Sequence, residues 1–183
     1  MDPRTDNEVF GNMNRENGSA EYPLMMIGYW DDRPRGKWIM PAILADCPYP
    51  SQERKNLARY LEEGVSVGEE LGYSHCRLSR EIPDSMMGNA DLTDGKWVWP
   101  EGLSVYVDYF GVRLPEEFVT HARASDFCNP RPAIESTKEV EASDCFWQDW
   151  CQKEKDLIGR VRYALTARWR TLRIRRRGVK LRV

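Results

Sequence analysis

Residues 90–112 read ADLTDGKWVWPEGLSVYVDYFGV, and this stretch carries the clearest statement of fold in the chain. Asp94-Gly95 stands between Leu92-Thr93 and Lys96-Trp97-Val98-Trp99. An Asp-Gly pair favours a two-residue hairpin turn, because such turns need positive φ and glycine adopts it without a side-chain clash. The flanks are good strand formers. Trp97 and Trp99 share one face of the second strand, so their large rings are expected in the core. Pro100 and Glu101 suit the opening of a helix, where a missing N–H costs nothing and a carboxylate meets the positive end of the dipole. Leu103, Tyr106, Val107 and Phe110 then recur at i, i+3, i+4 and i+7, and Gly111 can close the helix.

The same reasoning extends outward. Upstream, EYPLMMIGYW is a short apolar run expected as a buried strand, stopped by DDRPRG. DCPYPSQERKNLARYLEEG is a loop entering a helix, with Ser51 as N-cap, Leu57 and Leu61 on one face, and Gly64 at the end. GYSHCRL suggests another strand, and LPEEFVTHA a short helix. The expectation is an α+β fold over residues 21–123, a small antiparallel sheet with short helices. Residues 1–20 lack apolar periodicity and read as a flexible lead; 124–142, with two prolines and mixed charge, reads as a linker. From residue 143 to 183 the chain reads as a basic amphipathic helix and tail. Ser143 and Asp144 can cap its start, and Trp147, Trp150, Leu157, Ile158, Val161, Leu165, Trp169 and Leu172 fall at near-helical spacing.

Over 183 residues the chain is 41% hydrophobic and 31% charged, ordinary for a globular protein. Its net charge of −2 conceals an asymmetry: residues 152–183 hold 12 Lys and Arg against two acids, leaving −12 for the remainder. An acidic body with a basic tail is the implied organisation. The acidic, polar N-terminus lacks the pattern of a secretory signal. The longest near-continuous apolar run, Leu24–Trp30, is far short of the ~20 residues that span a bilayer. Five cysteines at irregular spacing then read as free thiols, and the expected location is cytoplasmic.

With GYSHCRLSRE, ADLTDGKWVWPEGLSVYVDYFGVRLPEEFV and the earlier IGYW in view, residues 22–121 resemble a family of small, uncharacterised bacterial proteins. Its members read GYSxCRxCG, then ELTDGxYxWPEGLAHYV, then HxVRLPxEF. The resemblance implies fold and class rather than an activity. In the family pattern a C-x2-C pair and two histidines spaced H-x4-H suit a tetrahedral zinc site in type and spacing. This chain keeps Cys76 but has Ser79, Val105 and Phe110 at the other three positions, which implies a degenerate site with apolar packing in place of the ion.

Without zinc, Cys76 reads as a buried small hydrophobe; the other reading, a nucleophile, would need a base, and only His75 and His121 are on offer. Asp91, Asp94, Glu101 and Asp108 around the hairpin admit an acid/base reading, but turn, helix start and solvated helix face account for them more simply. No phosphate loop, dinucleotide fingerprint or nucleophile elbow is present, and no cofactor is called for. The site expected to matter is basic: Arg160, Arg162, Arg168, Arg170, Arg173, Arg175, Arg176, Arg177, Lys180 and Arg182, with Tyr163 and Trp169 among them. Three outcomes stay open for it. The arginines bind nucleic-acid phosphates, the helix lies on an anionic membrane, or its apolar stripe docks on an acidic protein surface, its own or a partner's. A non-catalytic protein-interaction module is the leading expectation, a nucleic-acid-associated protein the alternative, and an enzyme using Cys76 or the hairpin carboxylates the third. Homo-oligomerisation is left open.

Overall fold

Trp97-Val98-Trp99 forms the middle of a five-stranded sheet. The computed structural model describes residues 23–46, 48–133 and 141–178. Its strands are β1 (Leu24–Met26), β2 (Val65–Glu69), β3 (Ala90–Thr93), β4 (Trp97–Pro100) and β5 (Ala142–Ser143), in the spatial order β2-β3-β4-β1-β5. The helices are α1 (Ser51–Glu62), α2 (Leu103–Phe110), α3 (Glu116–Ala124), α4 (Cys145–Ile158) and α5 (Arg160–Arg177), with short 3-10 turns at Pro41–Ile43 and Asp84–Met86. The α+β class is as expected. The sheet is mixed rather than antiparallel: β2, β3 and β4 alternate in direction, but β1 runs parallel to both β4 and β5. Hairpins force antiparallel pairing only on neighbours in sequence, and long connections separate β1 from both of its partners.

Being central, β4 is covered on both faces: Trp97, Val98 and Trp99 are all buried. Phe118 of α3 meets both tryptophan rings edge-on, at 5.6 and 5.7 Å between centroids. The β3–β4 turn lies one residue later than the sequence suggests. Thr93 pairs with Val98, so Gly95 and Lys96 are the central residues, and Gly95 has φ +91°. Asp94 precedes the turn and caps it, its Oδ1 accepting the N–H groups of Lys96 and Trp97 at 2.9 and 2.8 Å. Pro100 and Glu101 belong to the strand end and its exit rather than to α2. That helix closes, as expected, on a left-handed Gly111.

Residues 72–78, GYSHCRL, form no strand. The partner of β3 is instead β2, VSVGE, a half-exposed edge strand with a register shift between Ser66 and Gly68. In place of one long helix after residue 143 there are two, broken at Gly159 with φ +76°.

The C-terminal region enters the core. β5 adds a strand beside β1, and Trp147, Cys151, Tyr163 and Ala167 join the buried cluster that contains Ile27, Trp30, Ile39 and Trp97. Trp147 stacks on Trp150 (5.0 Å, 14°), meets Trp30 edge-on (5.2 Å, 73°), and donates its Nε1–H to the Tyr29 carbonyl at 2.8 Å. Glu154, also buried, takes the Arg113 guanidinium with both carboxylate oxygens, one at 2.9 Å. In the segment that composition reads as a linker, Phe127 is buried and Asn129 donates Nδ2–H to the Tyr60 carbonyl at 3.1 Å.

Candidate functional site

Cys76 lies in the irregular segment between β2 and β3 and is buried. Burial raises its thiol pKa, only partly offset by neighbouring backbone groups and the Tyr106 hydroxyl, so the reactive thiolate is disfavoured. Ser79 is buried too, and its Oγ accepts the Glu81 N–H at 3.1 Å. Val105 is a core residue of α2, and Phe110 packs on Tyr106 at 6.3 Å. One thiol, one engaged hydroxyl and two hydrocarbons do not fit a zinc ion. No group of three or more His, Cys, Asp or Glu suited to a metal occurs among the described residues.

The histidines do not serve Cys76. His75 is exposed, and His121 on α3 has its Nε2 3.2 Å from Asp94 Oδ2. That same oxygen accepts the Tyr60 hydroxyl at 2.6 Å. Asp94 is thus a buried tie between the hairpin, α1 and α3, accepting three hydrogen bonds with the His121 ring beside it. Glu101 accepts the N–H groups of Asn89 and Ala90, at 3.1 and 3.3 Å, and fastens the start of β3. Asp108 is half-buried on α2 and helps raise the pKa of Glu62, where burial is the larger cause. Asp91 accepts the Tyr29 hydroxyl, and burial raises its pKa.

The basic site is carried by α5. Arg160, Arg162 and Arg177 are on its backbone, their side chains outside the described set; Lys180 and Arg182 lie outside the described residues. Arg168, Arg173, Arg175 and Arg176 are exposed. Arg170 turns inward to donate to the Ile43 carbonyl, and Arg175 donates to the Arg77 carbonyl at 3.4 Å. The helix is moored by Tyr163, whose hydroxyl accepts the Met40 N–H at 2.8 Å, by buried Ala167 and by partly buried Ile174.

The apolar stripe read from the sequence is on the other side. Leu165, Trp169 and Leu172 are 68%, 58% and 53% exposed. At 3.6 residues per turn they fall within about 60° of one another and about 180° from the Tyr163–Ala167–Ile174 face. Arg168 and Arg175 flank this ridge on one side and Arg173 on the other, with the Arg173 guanidinium 5.1 Å from the Trp169 ring centroid. Sequence reasoning missed the mooring face. Tyr163, Ala167, Arg170 and Ile174 recur at i, i+4, i+7 and i+11, but alanine, tyrosine and arginine carry little apolar signal beside leucine and tryptophan.

Beneath α5 a cleft of about 400 Å³ separates it from residues 75–82. Its walls carry both signs of charge, including Arg77 paired with Asp32 at 3.2 Å. The outer ridge, by contrast, leaves Leu165, Trp169 and Leu172 exposed. No helix among the described residues is long and apolar enough to cross a membrane. No family model, curated protein or solved structure matches the chain.

Proposed function

We propose that this chain is a non-catalytic protein-interaction module whose outer α5 face seats in an apolar, acid-rimmed groove of a partner protein. The observation that carries this is the exposure of Leu165, Trp169 and Leu172 on a helix whose opposite face is already moored. Three apolar side chains in line over about 10 Å, at i, i+4 and i+7, are the anchor pattern of a helix laid in a groove. The flanking arginines select carboxylates at the rim, and Trp169 is the kind of residue that dominates interface energetics. An anionic membrane or a nucleic acid would meet the same arginines but also the −12 carried outside residues 152–183. A phosphate backbone also has no use for the leucines. A protein groove uses both features at once.

The test places a photo-crosslinking amino acid at Leu172 of the full chain in its native cell. Crosslinked peptides are mapped by mass spectrometry, with and without Leu165→Glu and Trp169→Glu. The expected result is one partner protein, contacted along an acidic-rimmed groove, whose crosslink both substitutions abolish while circular dichroism stays unchanged. Crosslinks mainly to lipid or nucleic acid would overturn the proposal. So would flotation with phosphatidylserine vesicles, or oligonucleotide binding that needs Arg168 and Arg173 but tolerates Leu165→Glu.

A further inference from the structure

A second concavity, remote in kind from the α5 ridge, opens where the parallel strands β1 and β4 end. In open sheets with parallel strands the crevice beyond the strands' carboxyl ends is the usual place for ligands. Here the chain leaves β1 through Gly28-Tyr29-Trp30 and leaves β4 through Pro100-Glu101-Gly102, and a cleft of about 260 Å³ lies between them. That is a little below the roughly 300 Å³ at which drug-sized sites begin, so its occupant would be small.

The composition of the cleft is specific. Tyr29, Trp30, Trp38 and Tyr106 supply aromatic walls, with the Trp30 and Tyr106 rings tilted at 59° and 5.7 Å apart. Glu70 and Asp91 supply two carboxylates, and neither is in an ion pair among the described residues. Asp91 is held toward the neutral form by burial and by the charge of Glu70, the Tyr29 hydroxyl working against both. Arg77, the cation at the cleft's edge, is paired through Nε with Asp32 at 3.2 Å.

We infer that this cleft binds a small organic cation, an ammonium or alkylammonium group. Aromatic faces attract a cation through their quadrupole, and two carboxylates outside any ion pair among the described residues favour it further. A small quaternary amine such as choline is of the right scale.

Calorimetry on the full chain tests this with three probes: choline, its uncharged tert-butyl analogue, and propionate. Choline is expected to bind with a Kd of about 1 mM or tighter, and the uncharged analogue ~10-fold more weakly, the ~1.4 kcal/mol within reach of a partly desolvated cation–π contact. Asp91→Asn and Trp38→Ala should each weaken choline by ~10-fold. Glu70 is exposed, so Glu70→Gln tests the charge requirement even if Asp91→Asn fails to fold; it should weaken choline several-fold. Equal affinity for choline and its neutral analogue would overturn the inference. So would stronger binding of propionate, or choline affinity unchanged in Glu70→Gln and Trp38→Ala.

Discussion

Replacing Trp147 with alanine removes the largest side chain that α4 sends into the core. The ring is completely buried and touches Trp30 at 5.2 Å and Trp150 at 5.0 Å. Its Nε1–H also satisfies the Tyr29 carbonyl at 2.8 Å. A buried tryptophan cut to alanine costs about 3–5 kcal/mol through lost transfer energy and the remaining cavity. With the Tyr29 carbonyl also left without its donor, the expected total is about 4 kcal/mol, against about 5–15 kcal/mol for a whole domain. In urea, with a slope of about 2 kcal/mol/M, the midpoint should fall by about 2 M in a single transition followed by far-UV circular dichroism. Trp147→Phe keeps most of the volume but loses the hydrogen bond and part of the ring packing, so it should cost about 1–2 kcal/mol. A loss below about 1 kcal/mol for Trp147→Ala would refute the claim that α4 and the sheet share one core. Two separate transitions, only the first of them shifted, would refute it equally.

Three further outcomes are expected. Asp94→Ala leaves the Tyr60 hydroxyl and two turn N–H groups without their acceptor; it should cost about 3 kcal/mol by thermal or urea unfolding, and Asp94→Asn clearly less. Iodoacetamide should label exposed Cys128 and Cys145 in the folded protein while sparing buried Cys76 and Cys151, and rapid labelling of Cys76 would restore it as a nucleophile. Stability should hold to about pH 9 and then decline toward pH 12, because burial raises the Cys151 thiol from 9.0 to about 12 and the Tyr106 and Tyr163 hydroxyls from 10.0 to about 12. The sign follows from linkage: the folded state favours the protonated groups, so their contribution is complete below the unfolded pKa and lost as pH rises through the folded one. Cys151→Ala should flatten the first part of that decline, and an unchanged alkaline profile would count against the burial of this thiol.

The elements that could be read directly are those whose signal is local. Trp97 and Trp99 alternate into the core, Leu57 and Leu61 fix the buried face of α1, and Gly111 ends α2, because each depends on residues within a turn or two. β2 escaped notice because VSVGE is a half-exposed edge with little alternation, and its pairing energy comes from β3, more than twenty positions away. The turn was displaced by one residue because Asp94 acts as a side-chain acceptor for the turn rather than as a central turn residue. Gly159 sits within an apolar pattern that continues across it, so the break between α4 and α5 left no trace in periodicity.

The amino-acid order by itself determined the mixed α and β content, the aromatic central strand and the concentration of positive charge in α5. Only the tertiary structure decided that β1 lies parallel to β4 and β5, that Trp147 completes the core, and which side of α5 faces the solvent. The physical reason is range. Dihedral preference, periodicity and ligand chemistry act between near neighbours, whereas the choice between two usable faces of one helix depends on the shape of a surface assembled from residues more than a hundred positions away.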